Sequence, residues 1–136
     1  ACIQSVDRVA LVERLVRQLE ERGGSVDVLL QVNTSGAESQ FGVAPEEVAA
    51  LAAAAAGESV LRLRGLMTIG RLAEDPEDTR DCFRTLRRLR DRLQDELGQP
   101  LPVLSMGMSA DLEVAIEEGA TLVRVGSAIF GERPPM

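Results

Sequence analysis

The chain has 136 residues, 45 % of them apolar and 27 % charged, which suits one globular domain with its own core. Its net charge of −7 argues against broad nucleic-acid binding, because an acidic surface repels phosphate backbones. There is no His and no Tyr, and all 15 basic residues are Arg, which excludes imidazole or phenol acid–base chemistry, a Ser-His-Asp triad, a His-rich zinc site and covalent carbonyl chemistry on a lysine.

Taken in chain order, the pattern alternates helix and strand. Asp7 to Arg22 reads as a helix, with Val9, Val12, Val16 and Leu19 on one face, Asp7 as N-cap and Gly23-Gly24 as the stop. Val26 to Val32 is a short apolar, β-branched run of the kind found in buried parallel strands. After the loop NTSGAESQFGVA, Pro45 opens an Ala-rich helix that runs to Ala56 and ends at Gly57. Val60 to Met67 reads as a strand. Glu77 to Leu97 reads as a helix with Cys82, Leu86, Leu89, Leu93 and Leu97 on one face, closed by Gly98. Leu101 to Ser105 is a strand, Ser109 or Ala110 to Glu118 a helix, and Thr121 to Val125 the last strand. A short helical turn over Ser127 to Phe130 is the most that the following Pro-Pro pair allows.

The predicted order α-β-α-β-α-β-α-β implies parallel strands joined by helical crossovers. Two architectures satisfy it: a small doubly wound sheet of four strands, or half of a (β/α)8 barrel, a whole one needing ~250 residues. No apolar run approaches the ~18 residues of a bilayer span. The opening ACIQSVDR lacks the basic-then-apolar pattern of a signal peptide. Cys2 and Cys82 form no CxxC pair, which fits thiols in a reducing compartment, read here as the cytoplasm.

Ligands in parallel α/β folds sit at the carboxyl ends of strands, which selects Asn33 to Gly36, Met67 to Gly70, Ser105 to Ser109 and Arg124 to Ser127. In SMGMS, Gly107 lets the backbone approach a ligand, and Ser109 offers a hydroxyl and free amides at a helix N-terminus, a phosphate cradle. The same Ser109 also suits a helix cap that satisfies only its own amides. Gly126 and Ser127 follow the last strand directly, so two adjacent loops can grip one phosphate from both sides, as the last two strand loops of barrels often do. Arg124 is anomalous inside the strand VRV and needs a partner, either a ligand atom or a helix carboxylate such as Glu117 or Glu118. Asn33 fits a ligand contact or a turn, and Met67 a cofactor wall or core. Arg62 and Arg64 alternate with Leu61 and Leu63 on a solvated or salt-bridged face, and RTLRRLRDR reads as a solvated helix face.

The combination IQSVDR, VLLQVN, a loop ending in FG, LRGLMTI and LSMGMSADLEVAIEEGATLVRVGSAIFGER resembles the YggS/PROSC family, the pyridoxal phosphate homeostasis proteins. The long final motif, LSMGMSxDxExAIxxGxTxVRxGxxIFG, is specific. The resemblance implies an α/β fold related to the N-terminal barrel of alanine racemase, and binding of pyridoxal 5′-phosphate (PLP) for buffering and delivery, with no firm turnover. It implies that Ser109 and the Gly126-Ser127 loop contact the phosphate. It also implies that Arg124 faces the pyridine nitrogen and keeps it unprotonated, and that the Met67 segment lines the ring pocket. The family's lysine segment and its GENYxQE and HFIGxLQ segments have no counterpart in this sequence. Residues 1–136 are therefore expected to be the C-terminal half of such a barrel, unable to link PLP covalently. The racemase-type alternative needs a lysine, a tyrosine and a second domain. A half barrel also leaves strand edges open to a second copy or to a separately supplied N-terminal half. No catalytic residue, metal, nucleic acid or membrane partner is expected.

Overall fold

A computed structural model of the chain describes residues 2–35, 42–69, 75–108 and 111–124. Along the chain these form β1 (Cys2–Val6), α1 (Val9–Arg22), β2 (Val26–Gln31), α2 (Val48–Ala56), β3 (Leu61–Met67), α3 (Arg80–Leu97), β4 (Val103–Met108), α4 (Leu112–Glu117) and β5 (Leu122–Arg124). The helix and strand sequence is the predicted one with a strand added in front. IQSV carries no continuous apolar run, and β1 is a strand because it pairs with β2, setting Ile3 against Val28 and the fully buried Val6 against Leu30.

All four strand pairs are parallel, and the spatial order is the chain order, β1-β2-β3-β4-β5. That order decides between the two architectures. A doubly wound sheet reverses its strand order at a switch point and carries helices on both faces. Here one apolar cluster unites Val12 and Val16 of α1, Leu51 and Ala55 of α2, Phe83 and Leu86 of α3 and Ala115 of α4 with Val28, Leu30, Leu66, Leu104 and Met106 of the strands. Successive helices also touch one another. The helices therefore cover one face of a singly wound sheet, which is a segment of a (β/α)8 barrel.

Strand alternation turns Leu29, Gln31, Met67 and Ser105 to the other face. All four are buried, and Leu29 and Met67 stand apart from the helix-side cluster. The register of β2 against β3 passes from Val28↔Leu63 to Leu29↔Gly65, so Arg64 is the extra residue of a bulge. Gly65 is held to glycine by close approach, since a Cβ there would lie 1.7 Å from the carbonyl oxygen of Val103.

Several boundaries move. The N-cap of α1 is Arg8 and not Asp7, whose carboxylate instead lies 3.3 Å from Arg8 Nε. Pro45 opens a 3-10 turn, Pro45–Glu47, before α2 begins. A second 3-10 turn, Pro76–Thr79, precedes α3, with the Asp75 carboxylate accepting the Glu77 N–H at 3.0 Å. Gly98 closes α3 in the left-handed conformation, φ 68°. Strand β4 runs through Met108, three residues past the expected end, and α4 starts at Leu112 behind Asp111, whose carboxylate accepts the Met108 N–H at 2.7 Å.

Candidate functional site

A singly wound sheet aligns its strand C-termini in one row, and the row has two sides. On the β2–β3 side, backbone bonds tie the strand ends together. The Val32 N–H donates to Met67 O at 2.8 Å, and the Thr68 N–H donates to Ser105 O on β4 at 3.0 Å. Val43 returns after the loop to bridge Val32, with Asn33 N donating to Val43 O at 2.9 Å. Side chains add a second layer. Thr68 Oγ1 donates to Val32 O at 2.8 Å and lies 2.9 Å from Thr34 Oγ1. The Asn33 carboxamide oxygen accepts from the backbone N–H of Ser35 at 3.1 Å and from its hydroxyl at 2.8 Å. Asn33 thus shapes its own turn, the local role expected of Asn after a strand. Met67 is buried on the face away from the helices.

On the β4–β5 side, Met108 pairs with Arg124, so the described parts of β4 and β5 end at neighbouring positions, just before residues 109 and 125. Gly107 precedes Met108 with φ 99°, and a Cβ on it would lie 2.5 Å from the Cβ of Ala115. The glycine thus has a packing reason: it admits α4 against the end of β4. Of the residues singled out above, Asn33, Met67 and Gly107 lie on the row. Arg124 ends β5, and its side chain lies outside the described set, as do Ser109, Gly126 and Ser127.

Helix α4 is anchored at its other end by charge. Arg80 Nη1 donates to Glu118 Oε2 at 2.7 Å and Arg80 Nη2 to Glu117 Oε1 at 2.7 Å, while Arg80 Nε bonds Glu77 at 2.7 Å. The Glu118 side chain is only 7 % exposed and also meets Arg84 at 3.3 Å and Arg87 at 3.4 Å. Hydrogen bonds from Arg80 and then Arg84 hold the Glu118 carboxyl below the ordinary carboxylate range, and Arg80 does the same to Glu77. The Arg80 guanidinium is raised in turn by its bonds to Glu77, Glu117 and Glu118. Both carboxylates considered as helix partners of Arg124 are therefore engaged by α3. The arginine run of α3 is also not simply a solvated face: Arg84 and Arg87 clasp Glu118, and Arg90 donates to Leu101 O at 3.0 Å. Arg62 meets the expected description, pairing across the strands with Asp27 and Ser25.

Comparison with known proteins places this arrangement. The family described as alanine racemase, N-terminal domain, matches residues 1–134. The chain belongs to that family. It is 47 % identical over 131 residues to the pyridoxal phosphate homeostasis protein of Aquifex aeolicus, covering 96 % of this chain and 58 % of the relative. The pyridoxal phosphate homeostasis protein of Pseudomonas aeruginosa is 47 % identical over 134 residues, covering 96 % and 55 %. The chain thus spans little more than half the length of the curated relatives it matches.

Among solved structures, PipY of Synechococcus elongatus with PLP bound superimposes with a TM-score of 0.84 at 37 % identity, over 96 % of this chain and 60 % of PipY. An unknown protein from Bifidobacterium adolescentis gives 0.89 at 43 % identity, over 95 % and 52 %. Alanine racemase from Corynebacterium glutamicum gives 0.74 at 19 % identity, over 98 % and 36 %, which shows the shared barrel fold of the family. Thr34 and Thr68 lie within the strand-end segments selected from the sequence but were not named individually, and Arg80 was not singled out. Thr34 and Thr68 are partners 34 residues apart, and Arg80 reaches Glu118 38 residues away as well as the local Glu77.

Proposed function

We propose that this chain supplies the phosphate-holding side of a PLP site and serves PLP buffering and delivery in the cytoplasm, without turnover of its own. The observation that carries the reading is the Met108↔Arg124 pairing, which sets the carboxyl ends of β4 and β5 next to each other, directly ahead of SADLE and VGSAIFG in the sequence. The PLP-bound relative at 37 % identity supports the choice of ligand.

The residues present fit a non-covalent ligand. Ser109, Ser127 and the backbone amides around Gly126 are neutral donors suited to a phosphate at strand ends. Gly107 lets α4 pack on β4 through Ala115, and the Asp111 carboxylate ahead of the helix accepts the Met108 N–H at 2.7 Å. Arg124 is a donor that stays charged at every physiological pH; placed at the ring nitrogen, it leaves that nitrogen unprotonated. Met67 and Asn33 stand on the ring side of the row. PLP, when bound, supplies an electrophilic aldehyde, and this chain has no lysine to capture it.

Equilibrium dialysis with PLP tests the reading. The chain is expected to bind PLP reversibly, with Ser109→Ala and Ser127→Ala each weakening it about tenfold, the effect of one lost hydrogen bond to a charged group. Borohydride is expected to trap no adduct on any side chain of the polypeptide. A chain with no measurable affinity for PLP, or one labelled on a side chain, rules the reading out.

A second reading rests on the open row of strands. Among the described residues, nothing pairs with the outer edges of β1 and β5, which leaves them able to take strands from a second copy or from an N-terminal half. Light scattering of the purified chain, alone and mixed with the N-terminal portion of a relative, tests it. A monomer that does not associate in either experiment refutes it.

A further inference from the structure

We propose that Thr68 is a positioning residue, whose hydroxyl, together with that of Thr34, fixes the ring-side wall of the ligand site; this rests on the PLP reading above. Thr68 follows β3 directly and is 1 % exposed. It joins three neighbouring segments. Its N–H donates to Ser105 O on β4 at 3.0 Å, and its hydroxyl donates to Val32 O at the end of β2 at 2.8 Å. A hydroxyl carries one proton. With that proton given to Val32, the 2.9 Å contact between the two threonines has Thr34 as donor and Thr68 as acceptor. The direction of the relay is therefore set: Thr34 to Thr68 to the Val32 carbonyl.

The wall residues hang on this relay from both ends. Asn33 is the residue between Val32 and Thr34, so both its neighbours are tied to Thr68. Met67 is the residue before Thr68, and its carbonyl accepts the Val32 N–H at 2.8 Å. Valine in place of Thr68 keeps the shape and removes the hydroxyl. It takes the donor from a carbonyl in a residue only 1 % exposed and leaves the Thr34 hydroxyl without its acceptor. The Val32–Thr34 segment then loses these hydroxyl ties to the residue that follows β3, and the wall loosens where the ring would lie. The residues proposed to hold the phosphate follow β4 and β5 in the sequence, so the loss should fall on the ring and not on the phosphate.

The test compares wild type, Thr68→Val and Thr68→Ser, all at a temperature where circular dichroism shows each variant folded. Binding of PLP, of pyridoxal and of inorganic phosphate is measured by equilibrium dialysis or calorimetry. The Met67 methyl resonance is followed without ligand. Thr68→Val is expected to weaken PLP and pyridoxal about tenfold, to leave inorganic phosphate within about twofold, and to shift or broaden the Met67 methyl signal, with Thr68→Ser restoring all three. Equal losses for phosphate and pyridoxal, or an unmoved Met67 signal with unchanged pyridoxal affinity, overturn the proposal. A wild type that ignores PLP while Met67 still responds to Thr68→Val refutes the PLP reading and supports the positioning role.

Discussion

Replacing Gly107 by Ala tests how α4 is seated on the sheet. Two costs follow from the structure. The residue sits at φ 99°, where an L side chain is strained; a left-handed backbone costs about 1–2 kcal/mol. The new methyl would also lie 2.5 Å from the Ala115 methyl, far inside contact distance, and overpacking of this kind costs about 1–3 kcal/mol. Together they predict a loss of about 2–5 kcal/mol, a large part of the ~5–15 kcal/mol that stabilises a typical domain. The two parts are separable. Ala115→Gly removes the steric partner but not the backbone strain, so the double variant should recover about 1–3 kcal/mol relative to the sum of the single changes. With no Trp or Tyr in the chain, urea unfolding followed by far-ultraviolet circular dichroism is the natural assay. A Gly107→Ala variant within about 0.5 kcal/mol of wild type, or a strictly additive cycle, would refute the contact as the reason for the glycine.

Further outcomes follow from other contacts. Because Arg80 and Arg84 hold the Glu118 pKa below its ordinary 4.5, the stabilisation is fully present above about pH 4.5 and is lost as pH falls through the lowered folded value. Glu118→Gln should therefore flatten the acid limb of the stability curve and cost about 1–2 kcal/mol at neutral pH, allowing for solvent screening; an unchanged acid limb contradicts this. Gly65→Ala should give no folded protein, since its Cβ would lie 1.7 Å from Val103 O, whereas Gly57→Ala, whose nearest contact is 3.4 Å, should stay within ~0.5 kcal/mol of wild type by the same assay. In a Cys2→Ser background, the buried Cys82 thiol should resist a disulfide reagent until the protein unfolds; rapid labelling under native conditions would show that α3 opens locally.

What the sequence showed and what it concealed follow one physical division. Local signals were readable: Pro45 opening a helical turn, Gly98 closing α3, and Cys82, Leu86, Leu89 and Leu93 facing the core. Features made by distant partners were not. IQSV becomes a strand only because β2 lies beside it, and β4 continues through SMGM because β5 pairs with its end. The arginines of α3 looked solvated because their true partner, Glu118, follows some thirty residues later, on another helix. Gly107 was read as a place for a ligand to approach, and its Cβ position turns out to be taken by Ala115. On Arg124 the sequence left two partners open, and the structure commits Glu117 and Glu118 to α3.

The same division bears on how the site works. A singly wound sheet puts helices on one face and lines up its strand ends, so neighbouring loops act together while distant ones act apart. On the β4–β5 side, α4 is held by the Met108–Asp111 bond at its start, by the close approach of Ala115 to Gly107 along its length, and by the Arg80–Glu118 clasp at its finish. On the β2–β3 side, the threonine relay adds hydroxyl bonds to the backbone bonds between the strand ends. The two anchors share no residue, and the bond that links them, from the Thr68 N–H to Ser105 O on β4, is a backbone bond that a change of the Thr68 side chain leaves in place. Loosening α4 should therefore reach phosphate affinity first, and loosening Thr68 should reach ring affinity first.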